Sequence, residues 1–450
     1  MLTMLVSSAV YVKAEEKRVN VFNEVVFYDG YRREVVDADV NDGVLRFKNS
    51  LYAVRLNMDD FADLGDDLRM EVTIGALCDN DARIGNVDLA FVPKGSERYE
   101  YYDVKRIELT RFITPFMNKN KEPREVPYEY DIPNVAKLLR DKDLNDKYDF
   151  WLEMEVFGIP YAANTQIAGC ADRNDVFEGT IDLVYTPSPD SGKLTGNVLV
   201  PIYVKFPEDY GNINFNNYTE SATDTLGVTT KTFEFEIPQD VADSRVYLIL
   251  TNHGAGTNGE EYVRRLHIVY YDGEVILSYT PGGVSCEPYR KYNTQANGIY
   301  SNSRTESFWK NNSNWCPGQA VPIRELHLGA QTAGKHKIMI RVPKARFYGN
   351  DGDFRPSLYF HGVVEGELPA SVSEIWFEGA DISVSRQGDM ITFRADEEIS
   401  EVFVHSYDGR LLDIIMNPSD SFPAGDYDEP ILILTFRTPD GRTTCRKLVM

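Results

Sequence analysis

Four short stretches of the chain set carboxylates among aromatic and turn residues. ALCDNDARIGNV (76–87) carries Asp79, Asp81 and Arg83 just ahead of strand-like residues. WLEMEVFG (151–158) alternates, so Trp151, Glu153, Glu155 and Phe157 share one face of a strand. HGAGTNGEEYVRRLH (253–267) is a glycine-rich loop leading into Glu260 and Glu261. NSNWCPGQAVPIRE (312–325) sets Trp315, Cys316, Pro317 and Gly318 in a row before returning to strand residues. Aromatic rings stack on sugar faces and carboxylates accept sugar hydroxyls, so these types together suit a carbohydrate. The plainer reading of the alternating glutamates is a solvated strand face, and of the Glu260–Glu261 pair a wet surface.

Other chemistries find less support. There is no Gly-x-Ser-x-Gly turn for a serine nucleophile. GAGTNGEE (254–261) has the spacing of a dinucleotide loop but no strand–helix unit around it. The six histidines show no HExxH or other ligand spacing, so His253 and His267 read as structural or loop residues. Five cysteines, at 78, 170, 286, 316 and 445, match no zinc pattern. They leave room for one or two bridges in an oxidising compartment. No metal and no cofactor are expected.

The elements that must position these groups are strands. KTFEFEIP (231–238), RVYLILTN (245–252) and HKIMIRVP (336–343) alternate at period two. RLHIVYYDGEVILSY (265–279) reads as a hairpin turning at Asp-Gly. The one good helix candidate is short, IPNVAKLLRDKDL (132–144). Many short strands with Gly, Asn and Pro turns predict an all-β chain of β-sandwiches or jelly rolls. With 450 residues, two or three domains are expected. TPSPDSGKLTG (186–196) and VVEGELPASVSE (363–374) mark the boundaries. They divide the chain into 15–188, 189–366 and a small sandwich over 367–450.

A formal net charge of −23 repels phosphate backbones and anionic lipids, which sets nucleic acid and acidic membranes aside and leaves a neutral ligand such as a sugar. Leu2 to Val12 is a short apolar run before Ala14, as in a secretory signal over 1–14, though without a positive start. A buried first strand is the alternative. No other segment is apolar for long enough to span a membrane.

Taken together and in order, several segments resemble the bacterial peptide-N-glycosidase F family, amidases that release N-linked glycans. RFITPF (111–116) is similar to a strand of the first jelly roll and DTLGVTTKTFEFEIP (224–238) to the entry of the second. GEEYVRRLHI (259–268) resembles the catalytic Glu segment. WCPGQAVPIR (315–324) is nearly the family's own loop. The likeness spans roughly residues 20–365. It implies two adjacent eight-stranded antiparallel jelly rolls with a cleft between them, followed here by the small C-terminal β-sandwich. It also implies a Cys286–Cys316 disulfide that tethers the excursion 287–315.

The implied reaction hydrolyses the amide between Asn and N-acetylglucosamine, with N-glycans on glycoproteins or glycopeptides as partners. Carried over by position, Glu261 takes the second-domain catalytic Glu and Tyr262 the aromatic after it. Glu155 takes a further Glu, with Phe157 in place of a Trp. In the first domain the register keeps Cys78, Asp79, Arg83, Asn86 and Val87, but the catalytic Asp position falls on Ala82. Either a bulge lets Asp81 serve, or the base is gone. Trp315 and Arg83 are expected to bind substrate. Lys310 or Arg304 stands in for an Arg that usually precedes the Trp-Cys-Pro-Gly loop. Gly259 and Val263 replace two cysteines beside the Glu, which leaves Cys78 unassigned.

The last 80 residues, with ISEVFVHSYDGRLLDII (399–415) and FRTPDGRTTCRKLVM (436–450), resemble the sorting domain of the type IX secretion system. On that reading Cys445 need not pair, and the protein is a secreted or cell-surface monomer of a bacterium. Three functions compete: a glycoamidase, a glycan-binding relative that has lost hydrolysis, and a purely structural surface protein.

Overall fold

In the computed structural model, the described residues are 15–32, 40–160, 163–204, 229–254, 259–295, 300, 302–343, 345, 353–368, 382–387, 390–395, 398–406, 411–424, 427, 429, 431–438 and 443–449. The expected signal over 1–14, most of the glycine loop and the C-terminal Asp-Gly turns lie outside them, as does the side chain of Cys445.

The first sandwich stacks two antiparallel sheets. One has the order Lys17–Tyr28, Asp175–Tyr185, Arg69–Ala76, Glu125–Asp131. The other runs Ala320–Val321, Lys105–Ile113, Ile84–Pro93, Tyr148–Val156, Leu51–Arg55, Val44–Lys48. Strand alternation sends Val72, Ile74, Val87, Leu89, Ile107, Phe150, Leu152, Met154, Phe177 and Ile181 into one core between them. Each such side chain contributes roughly 1.5–3 kcal/mol on burial.

The second sandwich pairs Asn197–Tyr203, Asp353–Val363, Asp243–His253 and Arg324–His327 in one sheet. Thr230–Ile237, Gly334–Arg341, His267–Tyr271 and Glu274–Tyr279 form the facing sheet. Phe233, Phe235, Val246, Leu248, Val269, Ile338, Ile340 and Phe360 fill the space between. The expected hairpin is present, with Tyr271 paired to Glu274 and φ of +48° at Asp272 and +94° at Gly273. Two consecutive positive φ values match the right-handed twist of the flanking strands, and glycine takes the second without a Cβ clash.

The C-terminal unit is a smaller sandwich. A three-stranded sheet (Ser383–Gln387, Met390–Arg394, Ser421–Pro423) faces a four-stranded one (Leu411–Met416, Glu401–Ser406, Ile431–Arg437, Thr443–Val449). Ile391, Phe393, Val402, Val404, Phe422, Leu432, Leu434 and Phe436 are buried between them. The all-β jelly-roll class is therefore borne out. Two details differ from expectation. Among the described residues the first sandwich carries nine strands from its own half, the short hairpin strand Val44–Lys48 being among them. The single helix expected over 132–144 is two, Pro133–Arg140 and Lys142–Lys147. Asp141 breaks it: its backbone is extended (φ −70°, ψ 121°) and its carboxylate accepts from Leu144 N at 2.8 Å, capping the second helix. Among the described residues no helix is long and apolar enough to cross a membrane.

The two large sandwiches are sutured. Ala320 and Val321 pair with Phe112 and Arg111, so the second half of the chain adds a strand to the first half's sheet. Gly318 N donates to Ile113 O at 2.9 Å and Ile113 N to Gln319 O at 3.0 Å. Further along, Phe116 N donates to Asn293 Oδ1 and Asn118 N to Thr294 Oγ1. Tyr247 and Tyr359 stack at 4.7 Å against the first core, where Asn134 Nδ2 donates to the Tyr359 hydroxyl.

Candidate active site at the seam of two sandwiches

Glu260 and Glu261 are adjacent in sequence and opposite in environment. Glu260 is fully buried, with both carboxylate oxygens within 2.9 Å of Arg265 Nε. A paired buried carboxylate of this kind anchors the segment; the expectation of a wet surface is corrected for Glu260. Glu261 is half-buried and its carboxylate accepts from the hydroxyl of Tyr262, whose ring is 47% exposed. The backbone under Glu261 is gripped from the Trp315 loop. Asn314 N donates to Glu261 O at 3.1 Å, and Asn314 Nδ2 reaches Glu260 O at 2.6 Å and Glu261 O at 2.8 Å.

The first sandwich contributes the loop 77–83 on the same side of the seam. Asp79 is fully buried and takes Arg83 Nε at 2.7 Å and Ile159 N at 2.6 Å. Burial raises its carboxyl, against the pull of Arg83. Arg83 NH1 also lies 3.5 Å from Asp81, whose side chain is 39% exposed. A Cys78–Cys170 disulfide pins the loop's start and accounts for both cysteines. Ala82, where the expected base would stand, packs against Ile113, Ile249, Trp315 and Val321.

The two loops meet electrostatically. The Tyr262 hydroxyl is pushed far above its ordinary range, by burial first, then by the charge and hydrogen bond of Glu261, then by Asp81. Tyr300 is raised by burial, then by Tyr262 and Glu261. Asp81 of the first sandwich is thus within electrostatic reach of Tyr262, and Tyr262 and Glu261 are within reach of Tyr300. Tyr300 has no signal in the sequence; it stacks on Trp309 at 5.6 Å beside the Cys286–Cys316 disulfide.

The strand Tyr148–Val156 carries Glu155 but is not the open sugar-facing strip that its alternation suggests. Trp151 is buried against Ala53, Ala90 and Val92. Glu153 is buried and takes Arg106 Nε and the Tyr99 hydroxyl, both at 2.7 Å. Glu155 is nearly buried, opposite Asn86 in register. Phe157 lies just past the strand, edge-on to the exposed Tyr31 at 5.2 Å. Lys310 faces Glu306 on its own helix at 3.5 Å, and Arg304 lies over the Phe308 ring. Trp315 is buried at the seam, with its Nε1 donating to Asn252 O at 2.9 Å. His253 and His267 are held by Thr251 and by Arg265 and Asn252.

Sequence reasoning missed a buried charged band on this same sheet: Asp88, Arg106, Glu108 and Arg111. Asp88 faces Glu108 on one neighbouring strand and Glu153 on the other. Its Oδ2 accepts from Asn86 Nδ2 at 3.1 Å, while Oδ1 is buried without a partner. Burial first, then Glu108 and Glu153, hold its carboxyl well above the usual range. A raised folded-state pKa means that its stability contribution is complete below about pH 4 and is lost as pH rises. We predict that Asp88→Asn is more stable than wild type at pH 8, with the difference vanishing near pH 4 in urea melts. An equal difference at both pH values would show that Asp88 is not a neutral acid.

Comparison with known proteins agrees with this architecture. The N-terminal model of peptide-N-glycosidase F matches residues 18–171 and its C-terminal model residues 217–359. Two crystal forms of PNGF-II superpose with TM-scores of 0.54 and 0.55 at 18% and 17% identity. In each the match covers 78% of this chain, and 66% and 65% of PNGF-II, so the chain spans about two thirds of that protein's length. PNGase F, a glycosylasparaginase from Flavobacterium meningosepticum, aligns at 16% identity over 80% of this chain and 99% of its own, with a TM-score of 0.49. No curated protein matches the chain. Both family models match in their proper order, one on each large sandwich, and the chain belongs to the peptide-N-glycosidase F family.

Proposed function

We propose that the protein hydrolyses the amide between Asn and the first N-acetylglucosamine of N-glycans on glycoproteins or glycopeptides. What supports this reading is that Glu261 of the second sandwich accepts from the Tyr262 hydroxyl while the charge of Asp81, from the first sandwich, also bears on that hydroxyl. An amide is a poor electrophile, so water needs a base and the departing nitrogen needs a proton. Asp81, 3.5 Å from Arg83 NH1, takes the proton of the attacking water. The proton that Asp81 takes is relayed by Glu261 to the leaving nitrogen, and Tyr262 orients the sugar-linked amide. Water's oxygen bonds to the carbonyl carbon as the C–N bond breaks, giving Asp and a glycosylamine. Glu155 supports the polar wall behind the substrate. Phe157, Trp315 and Lys310 complete the substrate-binding set.

A denatured N-glycoprotein incubated with the protein is expected to lose its glycan with Asn converted to Asp. Cleavage that leaves N-acetylglucosamine on Asn, or no cleavage at all, would overturn the amidase reading. Ala82 favours a second reading, a glycan-binding relative without hydrolysis, because it puts a methyl group where the family's Asp is expected. Glycan retention without release would select it. Two disulfides support a secreted or cell-surface fate. The C-terminal sandwich is proposed as a type IX sorting domain. Its removal is expected to trap the protein inside the cell; unchanged export would count against it.

A further inference from the structure

The second and C-terminal sandwiches each bury an outer face that their own core does not use. In the second sandwich, Val269 and Tyr271 of the strand His267–Tyr271 turn into the core. Alternation sends Ile268 and Tyr270 to the opposite side, yet they are 0% and 1% exposed. Ile268 stands opposite Ser278 in register, and Ser278 is buried as well. The C-terminal sandwich repeats the pattern. Leu432, Leu434 and Phe436 of the strand Ile431–Arg437 fill its core. Ile433 and Thr435 point the other way and are nonetheless buried, as is His405, which pairs with Ile433 from the neighbouring strand.

The two sandwiches meet at these faces. Ser278 Oγ lies 3.4 Å from Thr435 Oγ1, a buried contact between positions 157 apart in sequence. The strand Glu274–Tyr279 runs close beside Thr443–Val449, the outer strand of the C-terminal sheet. Arg437, held by Glu401 at 2.7 Å, is near enough for its charge to bear on Arg264, three residues past Glu261. Arg264 in turn donates to the carbonyls of Pro281 at 2.8 Å and Lys310 at 2.7 Å. The C-terminal unit therefore sits behind the segment that carries Glu261.

We infer that the C-terminal sandwich is a permanent layer of the protein, its outer face with Ile433 and Thr435 covering the Ile268–Tyr270–Ser278 face of the second sandwich. Two sheets that pack face to face in this way are held by apolar burial and need no covalent link. Uncovered, Ile268 and Tyr270 would form an exposed apolar patch on the second sandwich. The consequence is that cutting the chain between the two sandwiches does not release the C-terminal one. This holds whether or not the protein is an amidase. If the C-terminal sandwich is also an export address, the address stays seated after it is cut.

The test places a site-specific protease sequence between Leu368 and Ile382 of the full chain and cuts it. The two pieces, separate on a denaturing gel, are expected to elute together on gel filtration. Ser278→Arg and Thr435→Arg each push a charge into the dry contact and are expected to weaken the association by about a hundredfold or more, so that the pieces part. Should Thr435→Arg fail to fold, Ser278→Arg reads the same contact from the other side. Should the inserted site resist cutting, Ser278→Cys with Thr435→Cys, in a Cys445→Ser background, is expected to cross-link on oxidation, with the bridge located by peptide mapping. Wild-type pieces that separate, pieces that stay together in both arginine variants, or cysteines that do not join would overturn the inference.

Discussion

Glu261→Gln is expected to cut kcat on an N-glycopeptide by roughly 10²–10⁴-fold, the range for removing a positioned acid–base group. The neighbouring substitution supplies the contrast. Glu260→Gln leaves Arg265 facing a neutral amide and should act on stability, since Glu260 is buried in that pair and Glu261 is the half-buried one bonded to Tyr262. Glu261→Gln should leave the melting temperature nearly unchanged, because the grip of Asn314 is on the backbone carbonyl and not on the carboxylate. Steady-state kinetics and thermal melts on the two variants separate the roles. Equal activity loss in both, or full activity in Glu261→Gln, would remove Glu261 from the mechanism.

Arg111→Met should be the most damaging single change to the fold, by about 3–5 kcal/mol. Arg111 is completely buried and forks onto Glu108 at 2.7 Å through Nε and NH2. Its NH1 crosses to the second sandwich, donating to Thr251 Oγ1 at 2.8 Å and to the carbonyl of Arg355 at 2.6 Å. The variant strands the Glu108 carboxylate in a dry interior beside Asp88, and it also unties the seam. Adding Glu108→Gln should recover a good part of the loss, because the uncompensated charge is then gone. Urea unfolding of the single and double variants measures this; a single variant within about 1 kcal/mol of wild type would show the fork to be dispensable.

The strand framework was legible because alternation is a local signal: 231–238, 245–252 and 336–343 all became strands with their apolar side inward. The same signal misled where a second layer covers the outer face. Glu153 and Trp151 alternate like solvent-facing residues, yet the segment with Tyr99 and Tyr101 closes over them. Asp88, Glu108 and Arg111 escaped notice for the same reason. Glu108 and Arg111 pair within one strand, but Asp88 meets Glu108 and Glu153 only across strands, and Arg111 is completed by Thr251 and the Arg355 carbonyl from the other half of the chain. The Cys78–Cys170 bridge joins positions 92 apart, and nothing local announces it. The proximity of Asp81 to Tyr262 is likewise a product of docking two sandwiches. The family resemblance could nominate the residues, but their meeting depends on the seam.

The two-residue strand Ala320–Val321 has a consequence for how the chain can be divided. It occupies the rim of the first sandwich's sheet beside Arg111 and Phe112, where backbone donors and acceptors would otherwise stand open. Unguarded sheet rims recruit foreign strands. A fragment ending before the second sandwich would carry that adhesive border uncovered, with Arg111 deprived of Thr251 and the Arg355 carbonyl beside it. The halves are separate as layers of packed sheet, but the first depends on the second to close its border.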